Sequence, residues 1–68
     1  MMAVEPYQQR VIDEKKELDE KREKLELFFV TSKFAKLDQA EQDRLRIQSE
    51  IMSTYSEILR LRIVAFGL

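Results

Sequence analysis

The sequence predicts an all-α protein, an antiparallel two-helix hairpin with a one-turn helix at the bend, which assembles as a helical homo-oligomer. Three observations support this. Glu, Lys, Leu, Arg and Gln dominate the 68 residues, which include one Gly and one Pro, a composition typical of long helices. Apolar residues recur at a helical period in two long segments. The second segment carries more apolar surface than the first can cover.

The length predicts a single domain over residues 1–68 that has difficulty building a sufficient core. Small domains usually add disulfides, a metal or oligomerisation. The sequence contains no Cys and no His, so we expect neither a disulfide nor a metal, and no cofactor. Self-association is the remaining means of stabilisation.

Charge and hydropathy narrow the function classes. The net charge is -1, from 12 Lys and Arg against 13 Asp and Glu, whereas duplex-DNA binders usually carry a basic excess. No apolar run is long enough to span a membrane, and no signal-peptide pattern is visible. We therefore expect a cytoplasmic protein without DNA or membrane partners. We also expect no enzymatic activity, because no nucleophile has a base beside it.

Helix one is predicted over about residues 6–30, after a lead-in over residues 1–4, with Pro6 in its first turn. Its inner stripe repeats every seven residues: Val4, Val11, Leu18 and Leu25. The companion positions are predicted to be Tyr7, Glu14, Lys21 and Phe28. Two of these, Glu14 and Lys21, are charged, and we expect them to fix the register by bonding to Tyr55 and Gln48.

The bend is predicted to contain a short turn over residues 33–37, capped by Ser32. Its Phe34 should fold back on the apolar residues that end helix one. Asp38, with Glu41 three residues later, forms a capping-box pattern that predicts the start of helix two.

Helix two is predicted over about residues 39–66, ending at Gly67. The inner stripe is Leu45, Met52, Leu59 and Phe66, with companions Ile51, Tyr55, Ile58 and Ala65. Near its end the apolar residues point in nearly all directions, which predicts burial by a second copy. The predicted oligomer interface is Ile58, Leu61, Ile63 and Val64.

Three serines, Ser49, Ser53 and Ser56, share one stripe of helix two. The favoured interpretation is that these serines form part of an exposed polar side of helix two. The alternatives are close approach of another helix and hydrogen bonding to a ligand.

The open end of the hairpin is the candidate site, because counting from the bend brings Tyr7 level with about Arg62. The candidate ligand-binding residues are Tyr7, Arg10, Glu14, Arg60, Arg62 and Phe66. Aromatic rings stack on nucleobases, and guanidinium groups bind phosphates in bidentate fashion. In the alternative interpretation the arginines pair with Glu14 and Glu57, and the aromatic rings are ordinary packing.

The sequence also resembles a family of very small bacteriophage and prophage proteins first noted in crAss-like phages, over about residues 5–66. The segments that carry the resemblance are Tyr7-Gln8-Gln9-Arg10-Val11-Ile12, Glu14-Lys15, Glu17-Leu18, Lys24-Leu25, Phe34, Leu37, Glu41-Gln42, Tyr55-Ser56-Glu57-Ile58-Leu59, Arg62-Ile63 and Phe66. The resemblance implies a phage accessory protein acting in the host bacterial cytoplasm.

The expected architecture is similar to the helical hairpin of anti-CBASS and anti-Thoeris sponge proteins. Those oligomers sequester cyclic nucleotides or cyclic ADP-ribose-type signals without cleaving them, using an aromatic residue and nearby basic residues, places that Tyr7 and Arg10 would occupy. A nucleotide-derived second messenger is therefore the expected ligand. Two alternatives stay open: an inhibitor directed at a host defence protein, such as an anti-CRISPR, and a purely structural oligomerisation module.

Overall fold

The computed structural model describes residues 3–68, so the predicted lead-in over residues 1–4 lies partly outside it. Three helices follow in order: α1 (Pro6–Phe28), α2 (Ser32–Ala35) and α3 (Gln39–Ala65). The all-α class is confirmed, and α1 and α3 pack together along a rod of 52 × 15 × 14 Å. Helix α1 ends two residues earlier than predicted, because the chain turns at Phe29 and Val30.

The start of α1 has a reciprocal cap. Pro6 occupies its first turn, where a missing N–H costs nothing. The backbone N–H of Glu5 donates to Oε1 of Gln8 at 2.9 Å, and the Glu5 side chain accepts from the Gln8 backbone. The Gln8 side chain is thereby used at the helix start and is buried.

An aromatic cluster closes the bend. The cap of α2 is Thr31 rather than the predicted Ser32, and its Oγ1 accepts from the Phe34 N–H at 3.2 Å. The Phe34 ring lies edge-on to Phe28 and Phe29, with centroids 5.8 and 5.0 Å away. The guanidinium of Arg46 stands 5.0 Å from the same ring, so Phe34 ties α3 to the end of α1.

Both ends of α3 follow the sequence signals. The Asp38 carboxylate accepts from the Glu41 backbone N–H at 2.7 Å, which confirms the predicted N-cap. Gly67 follows the helix with φ 71°, a left-handed conformation in which a side chain is strained.

The helices meet along a narrow contact. Leu59 is fully buried at 0% exposure, and Val11 is buried at 5%. Among the described residues the buried hydrophobic side chains are these two and Phe34. With so few buried residues, each contributes a large share of the stability of the hairpin.

The inner side of α1 differs from the prediction by one residue. Glu14 and Lys21 are exposed, whereas Lys15 and Arg22 are half-buried towards α3. On a helix, the residues three and four positions after each member of a seven-residue stripe both lie next to that stripe. In the structure the residues four positions on face α3, whereas the prediction placed those three positions on there.

The inner side of α3 shows the same correction. The predicted companions Ile51 and Ile58 are exposed at 63% and 49%, whereas Ser56 is buried at 4%. The interpretation of the serines as an exposed back is therefore wrong for Ser56. Its small side chain allows α1 to approach closely, and its hydroxyl has a partner there.

That partner is Asp19, at the centre of a polar network between the helices. Its carboxylate accepts from Lys15 Nζ at 2.6 Å, Arg22 Nη1 at 3.0 Å and Ser56 Oγ at 2.5 Å. Arg22 also donates to Ser53 Oγ at 2.9 Å. The hydrogen bond from Lys15, followed by that from Ser56, lowers the pKa of Asp19 from 3.8 to about 2.

We predict that Asp19→Asn flattens the acid limb of the stability profile. A carboxylate with a lowered pKa stabilises the folded state above its unfolded pKa of 3.8, and this stabilisation is lost as the pH falls towards about 2. Urea midpoints of wild type and variant should differ at neutral pH, approach each other as the pH falls below 3.8, and converge near pH 2. Asp13→Asn, at an exposed carboxylate, is the control. Parallel profiles for wild type and Asp19→Asn would contradict the role of the network.

Candidate functional site

The open end of the hairpin brings the start of α1 beside the end of α3. The Tyr7 ring lies edge-on to Phe66, with ring centroids 5.7 Å apart. Tyr7 is 53% exposed, so about half of its side chain is accessible. A partly exposed ring packed against a second aromatic ring can stack on a flat ligand.

Two turns further along α1, a second contact crosses the hairpin. The Tyr55 hydroxyl donates to the Glu14 carboxylate, which confirms the predicted Glu14–Tyr55 bond and its register. The matching contact between Lys21 and Gln48 is not formed, since the Gln48 amide contacts Met52 Sδ at 3.9 Å. Glu14 therefore holds Tyr55 in place at the surface.

The arginines are not equivalent. Arg60 donates to Glu57 at 2.9 and 2.5 Å, and this interaction lowers the pKa of Glu57. Within residues 3–68, neither Arg10 nor Arg62 forms an ion pair. The alternative in which they pair with Glu14 and Glu57 is therefore wrong, because those carboxylates have other partners.

Helix geometry separates the predicted site into two parts. Arg60 and Arg62 are two residues apart, about 200° around α3, so they lie on opposite flanks. Arg62 shares its flank with Tyr55, one heptad earlier, and hence with Glu14. We call the residues on this side the open-end cluster: Tyr7, Arg10, Glu14, Arg62 and Phe66. Arg60 does not join the cluster within one chain.

The open-end cluster is an open surface rather than an enclosed pocket. Ligand sites usually bury most of the ligand, and one hairpin supplies only one wall. No group of His, Cys, Asp and Glu in residues 3–68 could hold a metal ion. In the same range, no helix is long and apolar enough to cross a membrane. The chemistry on offer is stacking and binding of anions.

An apolar face runs beside the cluster along α3. Three residues of the predicted interface, Ile58, Leu61 and Val64, are 49%, 49% and 64% exposed. The fourth, Ile63, is half-buried and lines a concavity with Ile12 of α1. Ile63 therefore belongs to the contact between α1 and α3. The face also extends back to Ile47, which is 55% exposed and lies one turn before Ile51, a spacing visible in the sequence.

Comparison with known proteins adds one finding. The model of a protein family described as Sequestin matches residues 5–65. The match includes all of α1, α2 and α3 and every residue of the open-end cluster except Phe66. No curated protein and no solved structure matches the chain.

Proposed function

We propose that this chain, which belongs to the Sequestin family, binds and sequesters a nucleotide-derived signalling molecule without cleaving it. The family name itself suggests that a molecule is sequestered. The proposed ligand is a cyclic oligonucleotide or a molecule of the cyclic ADP-ribose type. The proposed setting is a host bacterial cytoplasm, where a phage protein would remove an immune signal from its receptor.

The observation that carries the proposal is a pair of unpaired guanidinium groups beside an accessible aromatic ring. Arg10 and Arg62 lack carboxylate partners within residues 3–68, so their donors are available to phosphate. Tyr7 would stack on a base, and Phe66 would form a wall of the site. Glu14 would position Tyr55 rather than contact the phosphates, because like charges repel.

The side chains of the open-end cluster support sequestration rather than catalysis. The chain has no His and no Cys, and the hydroxyl bonded to the carboxylate of the open-end cluster is that of Tyr55, a phenol that Glu14 holds at the surface. A ligand held by stacking and ion pairs is released unchanged. We therefore expect the protein to act in proportion to its amount, with the bound molecule recovered intact.

A thermal-shift screen tests the proposal. Purified protein is heated with cyclic dinucleotides, cyclic trinucleotides and cyclic ADP-ribose isomers, with linear AMP as the control ligand. A ligand at 100 times its Kd adds about 2.7 kcal/mol to the free energy of unfolding, a shift in Tm of roughly 10–20 °C for so small a domain. Cooperative melting without a shift for any of them would reject the proposal.

A homo-oligomer is part of the proposal, because a second copy would cover the apolar face of α3 and add a wall to the site. We predict that Ile58→Glu dissociates the assembly, since a charge buried without a partner is costly. Light scattering at micromolar concentration should show monomers for Ile58→Glu and oligomers for the control, Leu27→Glu, at an exposed site near the bend. A well-folded wild-type monomer at that concentration would contradict self-association.

The exposed apolar face also favours a second candidate function, a protein-directed inhibitor that binds a groove of a host defence protein. A stoichiometric complex with a host protein, formed without any small molecule, would support this candidate. A purely structural module would instead show changes in stability alone when alanine replaces Tyr7, Arg10 or Arg62.

A further inference from the structure

The outward side of α3 carries its own apolar seam, distinct from the side that faces α1. We call it the outer seam, and its residues are Ile47, Ile51, Thr54, Ile58, Leu61 and Ala65. The steps between them alternate between four and three residues, the spacing of a left-handed coiled coil. The large members are between 49% and 63% exposed, so one hairpin leaves the seam uncovered.

We propose that the outer seam binds the outer seam of a second copy, with the two α3 helices parallel and in register. This inference rests on the self-association in the proposed function and is independent of the ligand. A pair formed in this way is a closed two-fold dimer, in which each outer seam covers the other.

The residue types along the seam suit burial against a second helix. One set of heptad positions holds Ile51, Ile58 and Ala65 and the other holds Ile47, Thr54 and Leu61, so five of the six side chains are apolar. Thr54 lies between them and donates its hydroxyl to the Glu50 carbonyl at 3.2 Å. Its polar group is therefore satisfied within the helix, and its methyl group can enter the interface.

The charges beside the seam distinguish the two orientations. One flank is acidic, with Asp43, Glu50 and Glu57, and the other carries Arg62 with neutral neighbours. A parallel pair places unlike flanks together, so Glu57 approaches Arg62 of the partner subunit. An antiparallel pair places like flanks together and sets the acidic residues against each other. Arg62 has five donors, enough for both a carboxylate and a phosphate.

The middle of the outer seam has a suitable shape for a partner. Glu50, Ile51, Thr54 and Tyr55 line a surface concavity there. In a coiled coil each apolar side chain inserts into a depression between residues of the facing helix. The concavity therefore provides room for a side chain from the second copy.

The parallel orientation has a consequence for the ligand. Both open-end clusters lie at the same end of the dimer, and the flank with Tyr55 and Arg62 lies between α1 and the second α3. The partner thus supplies the wall that one hairpin lacks.

Single cysteines introduced into this Cys-free chain test the orientation. Ile47→Cys and Leu61→Cys occupy equivalent seam positions about 21 Å apart along α3. In a parallel pair each seam residue faces the same residue of the second copy. On oxidation, most of each single-cysteine variant should therefore form a disulfide-linked dimer. Glu20→Cys, on the outer side of α1, is the control and should stay unlinked.

Other patterns would overturn the proposal. Linkage only after the Ile47→Cys and Leu61→Cys proteins are mixed indicates an antiparallel pair, because a residue then meets its own copy only near the two-fold axis. Unlinked chains in an intact oligomer indicate a different interface. Parallel linkage without any ligand shift supports the seam and rejects the ligand proposal, whereas a ligand shift without linkage does the reverse.

Discussion

Leu59→Ala is expected to lower the free energy of unfolding by about 2–5 kcal/mol, the usual cost of truncating a fully buried leucine. Leu59 has 0% exposure, and no other large side chain of residues 3–68 is fully buried. A chain of this length has a total stability of roughly 3–10 kcal/mol. The substitution should therefore remove much of that stability.

Urea denaturation followed by circular dichroism, at one fixed protein concentration, measures this effect. The concentration is fixed because the stability of an oligomer increases with protein concentration. Leu27→Ala is the matched control, since Leu27 is 62% exposed and its truncation should cost less than about 1 kcal/mol. Equal midpoints for the two variants would show that the contact between α1 and α3 is not what stabilises the chain.

Arg10→Ala and Arg62→Ala are each expected to weaken nucleotide binding by about 10- to 100-fold, since hydrogen bonds to charged groups contribute about 1.5–3 kcal/mol each. Both groups lack ion-pair partners within residues 3–68, so little folding energy is lost with them. The measurement is isothermal titration with whichever nucleotide gives a thermal shift.

Arg60→Ala is the matched control for these two variants. Arg60 is the same residue type on the same helix, but it bonds to Glu57 and lies on the flank opposite Arg62. Its removal should leave affinity unchanged. If Arg60→Ala weakens binding as much as Arg62→Ala, the ligand lies elsewhere, or a partner subunit brings Arg60 into the site.

Local signals predicted both ends of α3. Asp38 and Gly67 act within one turn of the chain, and both have the predicted role. The Glu14–Tyr55 bond also followed from counting, because an antiparallel hairpin with a short bend has a single register to within about a turn. The helical period alone places Arg60 and Arg62 on opposite flanks of α3, although the sequence-based prediction put both in one site.

The sequence did not reveal which side of each helix faces the other helix. Position Lys15 and position Glu14 are both charged and both adjoin the α1 stripe, so periodicity alone does not separate them. Asp19 decides between them, because its carboxylate accepts from both helices and orders Lys15 and Ser56 around itself.

The sequence by itself determined that this protein is a helical hairpin, since caps, periodicity and the absence of Cys and His are local or compositional properties. Only the tertiary structure decided which side of each helix is inside. That choice depends on the fit between two surfaces, and here the buried Ser56 hydroxyl donates to Asp19 between the helices. As a result, Ile51 and Ile58 remain on the outside, free to meet another chain.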